Sequence, residues 1–361
     1  MSLSAKRTLI LLTIAPLAIP VFAAEGASNW TDSIRLQGDF RLRLEGIDED
    51  GEEGRTRSRF RARFGLSAQA HDDVKVVVQL ATGGDSPVST NQTFDGGFST
   101  KDIGVDLAYA DWTATDGMHV YGGKMKNPLF KAGKVPLIWD GDLNPEGLAL
   151  SYSTGAFFGT LAHFSIEERS SSDDSLLTAV QAGMKFDVGD NAKLTAGVGY
   201  FAYSDTIGNE PFYNGNAQGN TVDINGNYVY DYKNTELFVQ FDTRLGDWPF
   251  QAYAHAVQNN EVSVEDTAFA VGAKLGAAKD KGMTEFSWTY QDIEADALIG
   301  TFNDSDFGGG GTDSSGHLLK GKYALSSKVS LAGSFFINDI DRFQGTEHGY
   351  DRFQLDLELK F

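Results

Sequence analysis

The sequence predicts an all-β fold: a transmembrane antiparallel up-and-down β-barrel of about sixteen strands, following a cleaved leader. Three observations predict it. Apolar and polar residues alternate with a period of two along most of the chain, as in strands with one dry and one wet face. The connections between these segments alternate between short and long. Glycine is abundant, at 41 residues against 8 prolines, which suits many strands joined by turns.

The leader comes first. Lys6 and Arg7 precede a mostly apolar run over 8–21, and the small residues Ala23 and Ala24 follow. That order predicts a signal peptide over 1–24 and a barrel over 25–361. The competing reading, a membrane anchor, is disfavoured by Pro16, Pro20 and the shortness of the run. With no cysteine there is no disulfide or thiolate metal site, and the six histidines lack ligand spacing, so no metal or cofactor is expected. The 30 basic and 50 acidic residues give a formal charge of -20, which argues against nucleic acid as a partner. No later run of eighteen apolar residues predicts a spanning helix. Those facts alone leave a soluble periplasmic protein open.

The first two strands decide more. In "SIRLQGDFRLRLE", Ile34, Leu36, Phe40, Leu42 and Leu44 share one face, opposite Arg35, Asp39, Arg41, Arg43 and Glu45. In "RTRSRFRARFGLSA", Arg55, Arg57, Arg59, Arg61 and Arg63 oppose Phe60, Ala62, Phe64 and Leu66. A helix would not gather these apolar residues into one stripe. An arginine on the lipid side costs roughly 2–4 kcal/mol near the midplane, so the eight arginines are expected to face a lumen. They would form a basic wall moderated by Asp39 and Glu45.

The pattern recurs from Val74, Gly104, Leu176, Ala192, Thr235, Thr267, Met283, Lys328 and Phe353. Short connections such as "HDD", "ATDG", "STG", "GDN" and "GDWP" are tight-turn chemistry. Long polar ones cover 46–54, 83–103, 126–146, 167–175, 204–233, 294–314 and 338–349. A barrel with one rim of short turns and one of long loops alternates in this way. The glycine-rich stretch 110–152 leaves fourteen or eighteen strands open. Trp112, Tyr121, Tyr152, Trp248, Phe250 and Phe361 lie near short turns, and Tyr200, Phe201, Tyr203, Trp288 and Tyr290 near long loops. Aromatics are expected to gather at the two membrane interfaces.

The segment "FQLDLELKF" sets Phe353, Leu355, Leu357, Leu359 and Phe361 on one face. It resembles the terminal signal read by the outer-membrane barrel-assembly machinery. With "GRTRSRFRARFGLSA" and "LIWDGDLNPEGLALSY", the chain resembles bacterial outer-membrane porins of the "putative porin" family. The phosphate-selective porins are more distant relatives. The resemblance implies a water-filled barrel in the outer membrane, narrowed by a long loop, that passes small hydrophilic solutes and ions by diffusion. A homotrimer follows by analogy with other sixteen-stranded porins, and Ala252, Ala254 and Ala256 would be either a subunit contact or lipid face. The family supplies no defined solute.

The segment 126–146 is the constriction candidate, carrying Lys131, Lys134, Asp140, Asp142 and Glu146. Folded inward, its acids would oppose the arginine wall and orient passing solutes. The plainer alternative is that the arginines only pair with neighbouring acids and brace the wall. "DEDGEEG" and "DINGN" resemble pieces of calcium loops without the full ligand set, and acidic outer loops are also suited to cations bridging lipopolysaccharide. Two other functions were weighed. A barrel enzyme lacks any "GxSxG" signature despite His163 and His255. A structural or adhesive barrel would have a plugged lumen.

Overall fold

The protein is described by a computed structural model over residues 33–361. The leader expected over 1–24 lies outside the described residues. Period-two alternation produces sixteen strands: β1 Ile34–Glu49, β2 Arg55–His71, β3 Val74–Thr82, β4 Ile103–Thr115, β5 Met118–Lys124, β6 Glu146–Thr154, β7 Phe157–Glu167 and β8 Ser175–Val188. Then follow β9 Ala192–Tyr203, β10 Lys233–Leu245, β11 Trp248–Asn259, β12 Thr267–Gly276, β13 Thr284–Ile293, β14 Ser314–Ala324, β15 Val329–Ile340 and β16 His348–Lys360. Each pairs antiparallel with the next and β16 returns to β1, so the barrel is closed. A two-residue strand, Gln92–Thr93, extends the sheet beside β2 where β3 has ended. Closure satisfies every ladder hydrogen bond without leaving an edge, as hydrocarbon requires.

The two faces separate by parity. Leu36 (62% exposed), Leu42, Leu44 and Phe64 point outward, while Arg41, Arg43 (6%) and Glu45 are buried inside. On β16, Phe353 and Leu355 are exposed, whereas Arg352, Gln354 and Asp356 are buried. A continuous apolar outer surface of this kind is a membrane face. Trp112, Tyr152, Trp248, Phe361 and Tyr200 are exposed toward strand ends, and Trp288 is exposed midway along β13. Phe201 and Tyr203 are buried instead, and Tyr121 stacks inside against His119. Parity explains these three departures: Phe201 follows outward Tyr200 and must point inward.

The seam joining the first and last strands has a specific fit. Gly38 and Phe361 exchange both backbone hydrogen bonds, each 3.1 Å. A Cβ on Gly38 would sit 2.5 Å from the Phe361 ring and 2.4 Å from the Arg63 carbonyl oxygen. Gly38→Val should therefore obstruct closure and cost roughly 1–3 kcal/mol, as overpacking does. Heat-modifiable gel mobility of the refolded barrel checks it, with wild-type refolding yield in Gly38→Val contradicting the fit.

Long connections turn into the barrel: 83–102 reaches the inward Arg41 through Asn91, and three others pack together. Segment 125–145 leaves the wall between Gly123 and Gly147, which face each other in the β5–β6 register. Both hold positive φ (119° and 146°), and a Cβ on either would meet a carbonyl oxygen of a flanking strand, Ala108 of β4 for Gly123 and His163 of β7 for Gly147, within 2.3 Å. Larger residues would not permit that turn. Inside, the Trp139 indole N–H donates to Tyr203 Oη at 3.0 Å, and Phe212 of segment 204–232 stacks on Phe302 of segment 294–313 at 5.8 Å. Asn220 Nδ2 donates to the Ala295 and Leu298 carbonyls, both at 2.7 Å. The Asp140 N–H donates to the Phe302 carbonyl at 2.8 Å. An apolar cluster with these backbone ties holds the three segments together.

Candidate lumen site

The β1–β2 register sets Arg41 opposite Arg61, Arg43 opposite Arg59, Asp39 opposite Arg63 and Glu45 opposite Arg57. Like charges directly opposite repel, so the arrangement depends on its counter-charges. Asp39 accepts from Arg61 at 2.9 Å and Arg63 at 2.8 Å. Arg57 pairs with Glu45. Arg43 forms a two-point fork on Asp356, with both contacts 2.8 Å, and reaches Asp306 at 2.9 Å. Such forks are the strongest ion-pair geometry. Arg35 and Arg55 lie exposed near opposite ends of their strands, opposite Ser67 and Ile47, and make no ion pair among the described residues.

Segment 125–145 reaches this wall through one acid. Asp142 Oδ1 lies 3.3 Å from Arg61 and 3.4 Å from Arg63, while its Oδ2 accepts from Thr90 Oγ1 at 3.0 Å. Asp140 turns away, accepting the Ser305 N–H at 2.9 Å. Glu146 is the first residue of β6 and pairs with Lys124 at 2.8 Å, away from the arginines. Lys131 Nζ donates to the Trp139 and Asp140 carbonyls at 2.9 and 3.2 Å. Lys134 lines the cavity below without an ion pair among the described residues. On the far wall Gln181 holds Phe130 at both backbone groups, accepting its N–H at 2.7 Å and donating to its carbonyl at 3.0 Å. The segment therefore crosses the lumen from β8 to β2.

Charge in these loops is shifted by burial and by neighbours. Burial alone would push Asp142 up, but Arg61, Arg63 and Arg41 outweigh it and hold the carboxyl below its usual range. No arginine offsets burial at Asp140; burial, then Asp304 and Asp142, push it well above that range. Burial also opposes the charge on Asp306, yet Arg43 and Arg352 hold it low. Burial pushes Lys131 down to about 8, against Asp140 and Asp304. Between about 8 and the ordinary 10.5, the folded chain therefore binds fewer protons at this site than the unfolded one. Lys131 should contribute stability that rises with pH across that window. Urea unfolding at pH 7.5 and 9.5 checks the sign, and Lys131→Met should remove that slope.

Asp304 and Asp306 escaped the sequence reading. The signal was present in "ADALIGTFNDSDF" (295–307), whose apolar residues are unsuited to a solvated outer loop. Asp306 sits between Arg43 and Arg352, the latter at 2.7 Å. In "DINGN", which resembles a piece of a calcium loop, Asp223 accepts the N–H groups of Asn225 and Asn227 at 2.8 and 3.0 Å, closing its own turn.

Two spaces remain open between wall and loops. One, about 900 Å³, has a mixed lining: Arg41, Arg43, Arg61, Lys126, Lys134 and Lys320 share it with acids that include Asp142, Glu285, Asp304, Asp306, Asp356 and Glu358. The second, about 830 Å³, lies toward the long-connection rim and carries Asp85, Asp106, Glu146 and Glu167. Asp142, Leu143 and Asn144 belong to both linings, so this strip separates them.

A sequence profile described as "Putative porin" matches residues 48–225 and 218–361. The chain belongs to that family. This porin is similar in fold to Pseudomonas putida OprB in its high-pH structure, at 13% identity and a TM-score of 0.63, over 92% of this chain and 95% of that one. It is also similar to Salmonella typhi OmpF in complex with daunomycin, at 12% identity and 0.56, over 92% and 99%. Vibrio cholerae OmpT, described in a trimer form, aligns at 14% identity and 0.50, over 91% and 99%. No curated protein matches the chain. The porin is an outer-membrane channel for passive diffusion.

Proposed function

We propose that solutes enter through the acidic space at the long-connection rim, pass the strip Asp142–Leu143–Asn144, and continue through the mixed-charge space beside Arg41, Arg43 and Arg61. Segment 126–146 is the constriction in this reading. The observation that supports it is the sharing of that strip by both cavities while Asp142 is held by Arg61 and Arg63. Acid before the strip, and the Arg41, Arg43 and Arg61 side chains on one wall behind it, would orient a polar solute along its dipole. Arg57 and Arg63 serve mainly to brace the wall through Glu45 and Asp39, and Arg35 and Arg55 lie outside the path.

Single-channel recording of an Arg59→Gln/Arg61→Gln variant tests the reading. Conductance and the anion-to-cation permeability ratio should both change, and unchanged values would remove the wall from the solute path. The reading includes a leader over 1–24 and a mature barrel over 25–361, with Phe353 to Phe361 read by the assembly machinery. It also includes outer loops in contact with lipopolysaccharide and a homotrimer. Mass measurement of the detergent-extracted protein addresses the last of these, a monomer contradicting it.

A further inference from the structure

The pairing of the arginine wall is uneven. Arg43, Arg57, Arg61 and Arg63 each hold a carboxylate within 3.5 Å. Arg41 holds none: its Nη2 donates to Asn91 Oδ1 at 2.6 Å, its Nε is buried without a partner, and the residue is 9% exposed. Arg59 reaches Glu45 only at 3.9 Å and Ser89 Oγ at 3.5 Å, and its Nε is also buried and unpartnered. The chain that meets these two arginines, 89–91, thus offers neutral oxygens where a counter-charge would be expected.

Nearby acids are already engaged. Asp356 takes the Arg43 fork, Glu358 pairs with Lys322, and Asp142 is shared between Arg61 and Arg63. The strand neighbours of Arg41 are Arg61 and Glu358, so one of them adds like charge. Guanidinium stays protonated, and a buried charge without a partner is costly. Arg41 and Asn91 both line the 900 Å³ cavity, as do Lys126, Lys134 and Lys320, none of which makes an ion pair among the described residues. Asp142, Asp356 and Glu358 share that lining, but none bonds Arg41 directly, so a direct anionic partner would have to be supplied from the lumen.

We propose that Arg41, with Asn91 beside it and Arg59 behind, is a binding site for small oxyanions, and that the channel favours solutes bearing a carboxylate or phosphate group. The assignment rests on the cavity being part of the solute path. It separates the wall into arginines that brace and one that receives. Arg43 already demonstrates the fork this chemistry uses.

Phosphorus-31 NMR of inorganic phosphate over the detergent-refolded protein reads binding without requiring conduction. Wild type should broaden the phosphate line saturably, and Arg41→Gln should weaken the apparent affinity about tenfold, as loss of a charge-assisted contact does. Asn91→Asp supplies a carboxylate to Arg41 while keeping the guanidinium, and should suppress broadening as well. Acetate should displace the bound phosphate, and failure to do so overturns the carboxylate half of the assignment. No broadening by wild type, or equal broadening by all three proteins, overturns the site. Chloride conductance of the same preparation tests the path separately. A channel that conducts chloride but ignores phosphate removes only the anion site; phosphate bound by a non-conducting barrel upholds the site and removes the path.

Discussion

Asp306→Ala should lower the unfolding free energy of the barrel by roughly 3–5 kcal/mol, the usual cost of stranding a buried charge. Asp306 lies 2.9 Å from Arg43 and 2.7 Å from Arg352. Arg43 would retain the Asp356 fork, but Arg352 would keep only the Tyr350 hydroxyl and the Ser305 carbonyl. Arg352 is 4% exposed, so water offers little relief. Segment 294–313 would also lose its Asp306 ion pairs to β1 and β16, loosening the loop that carries Phe302, with the Ser305 carbonyl on Arg352 remaining. Urea unfolding in lipid vesicles measures the loss. The double variant Arg352→Met/Asp306→Ala should recover much of it, because removing both charges removes the stranded one. A single variant within about 0.5 kcal/mol of wild type, the range of an ordinary surface change, would contradict this account.

Gln181→Ala should widen the channel. Gln181 holds both backbone groups of Phe130 and also donates to Glu236 at 2.8 Å. Each buried backbone group left without a partner costs roughly 1–3 kcal/mol, enough to release one end of the crossing segment. The other end would stay anchored by Asp142 on Arg61 and Arg63. Single-channel conductance should rise and become noisier as the loop samples several positions. Gln181→Glu is the contrasting case. It keeps an acceptor for the Phe130 N–H but loses the donor for its carbonyl, and places a second carboxylate beside Glu236. An unchanged conductance in both variants would show that Phe130 is held by packing against Phe158 and Phe238 alone.

The wall was legible in the sequence because lipid imposes period two on every strand. Leu36 and Arg35, or Phe64 and Arg63, could be assigned to opposite faces without any tertiary knowledge. The same rule corrects Phe201, Tyr203 and Tyr121, whose interfacial assignment followed position along the strand and disregarded parity. What the loops do inside the barrel was less legible. They carry no periodicity, and their destinations depend on partners more than fifty residues away, such as Gln181 for Phe130 and Ser305 for Asp140. Asp142 could be suspected from "WDGDLNPE" near an arginine wall. Nothing local distinguishes it from Asp140, two residues earlier, which turns to segment 294–313 instead. That Arg41 and Arg59 meet neutral oxygens depends on where 89–91 runs, and so is a tertiary fact.

Solute-dependent swelling of liposomes reconstituted with the refolded protein tests the central claim most directly. A water-filled path past Asp142 predicts swelling in isotonic solutions of a small neutral sugar, falling as solute size increases. Correctly folded, heat-modifiable barrels that give no swelling with any solute would mean that the Trp139, Tyr203, Phe212 and Phe302 cluster plugs the lumen, and would contradict the diffusion channel.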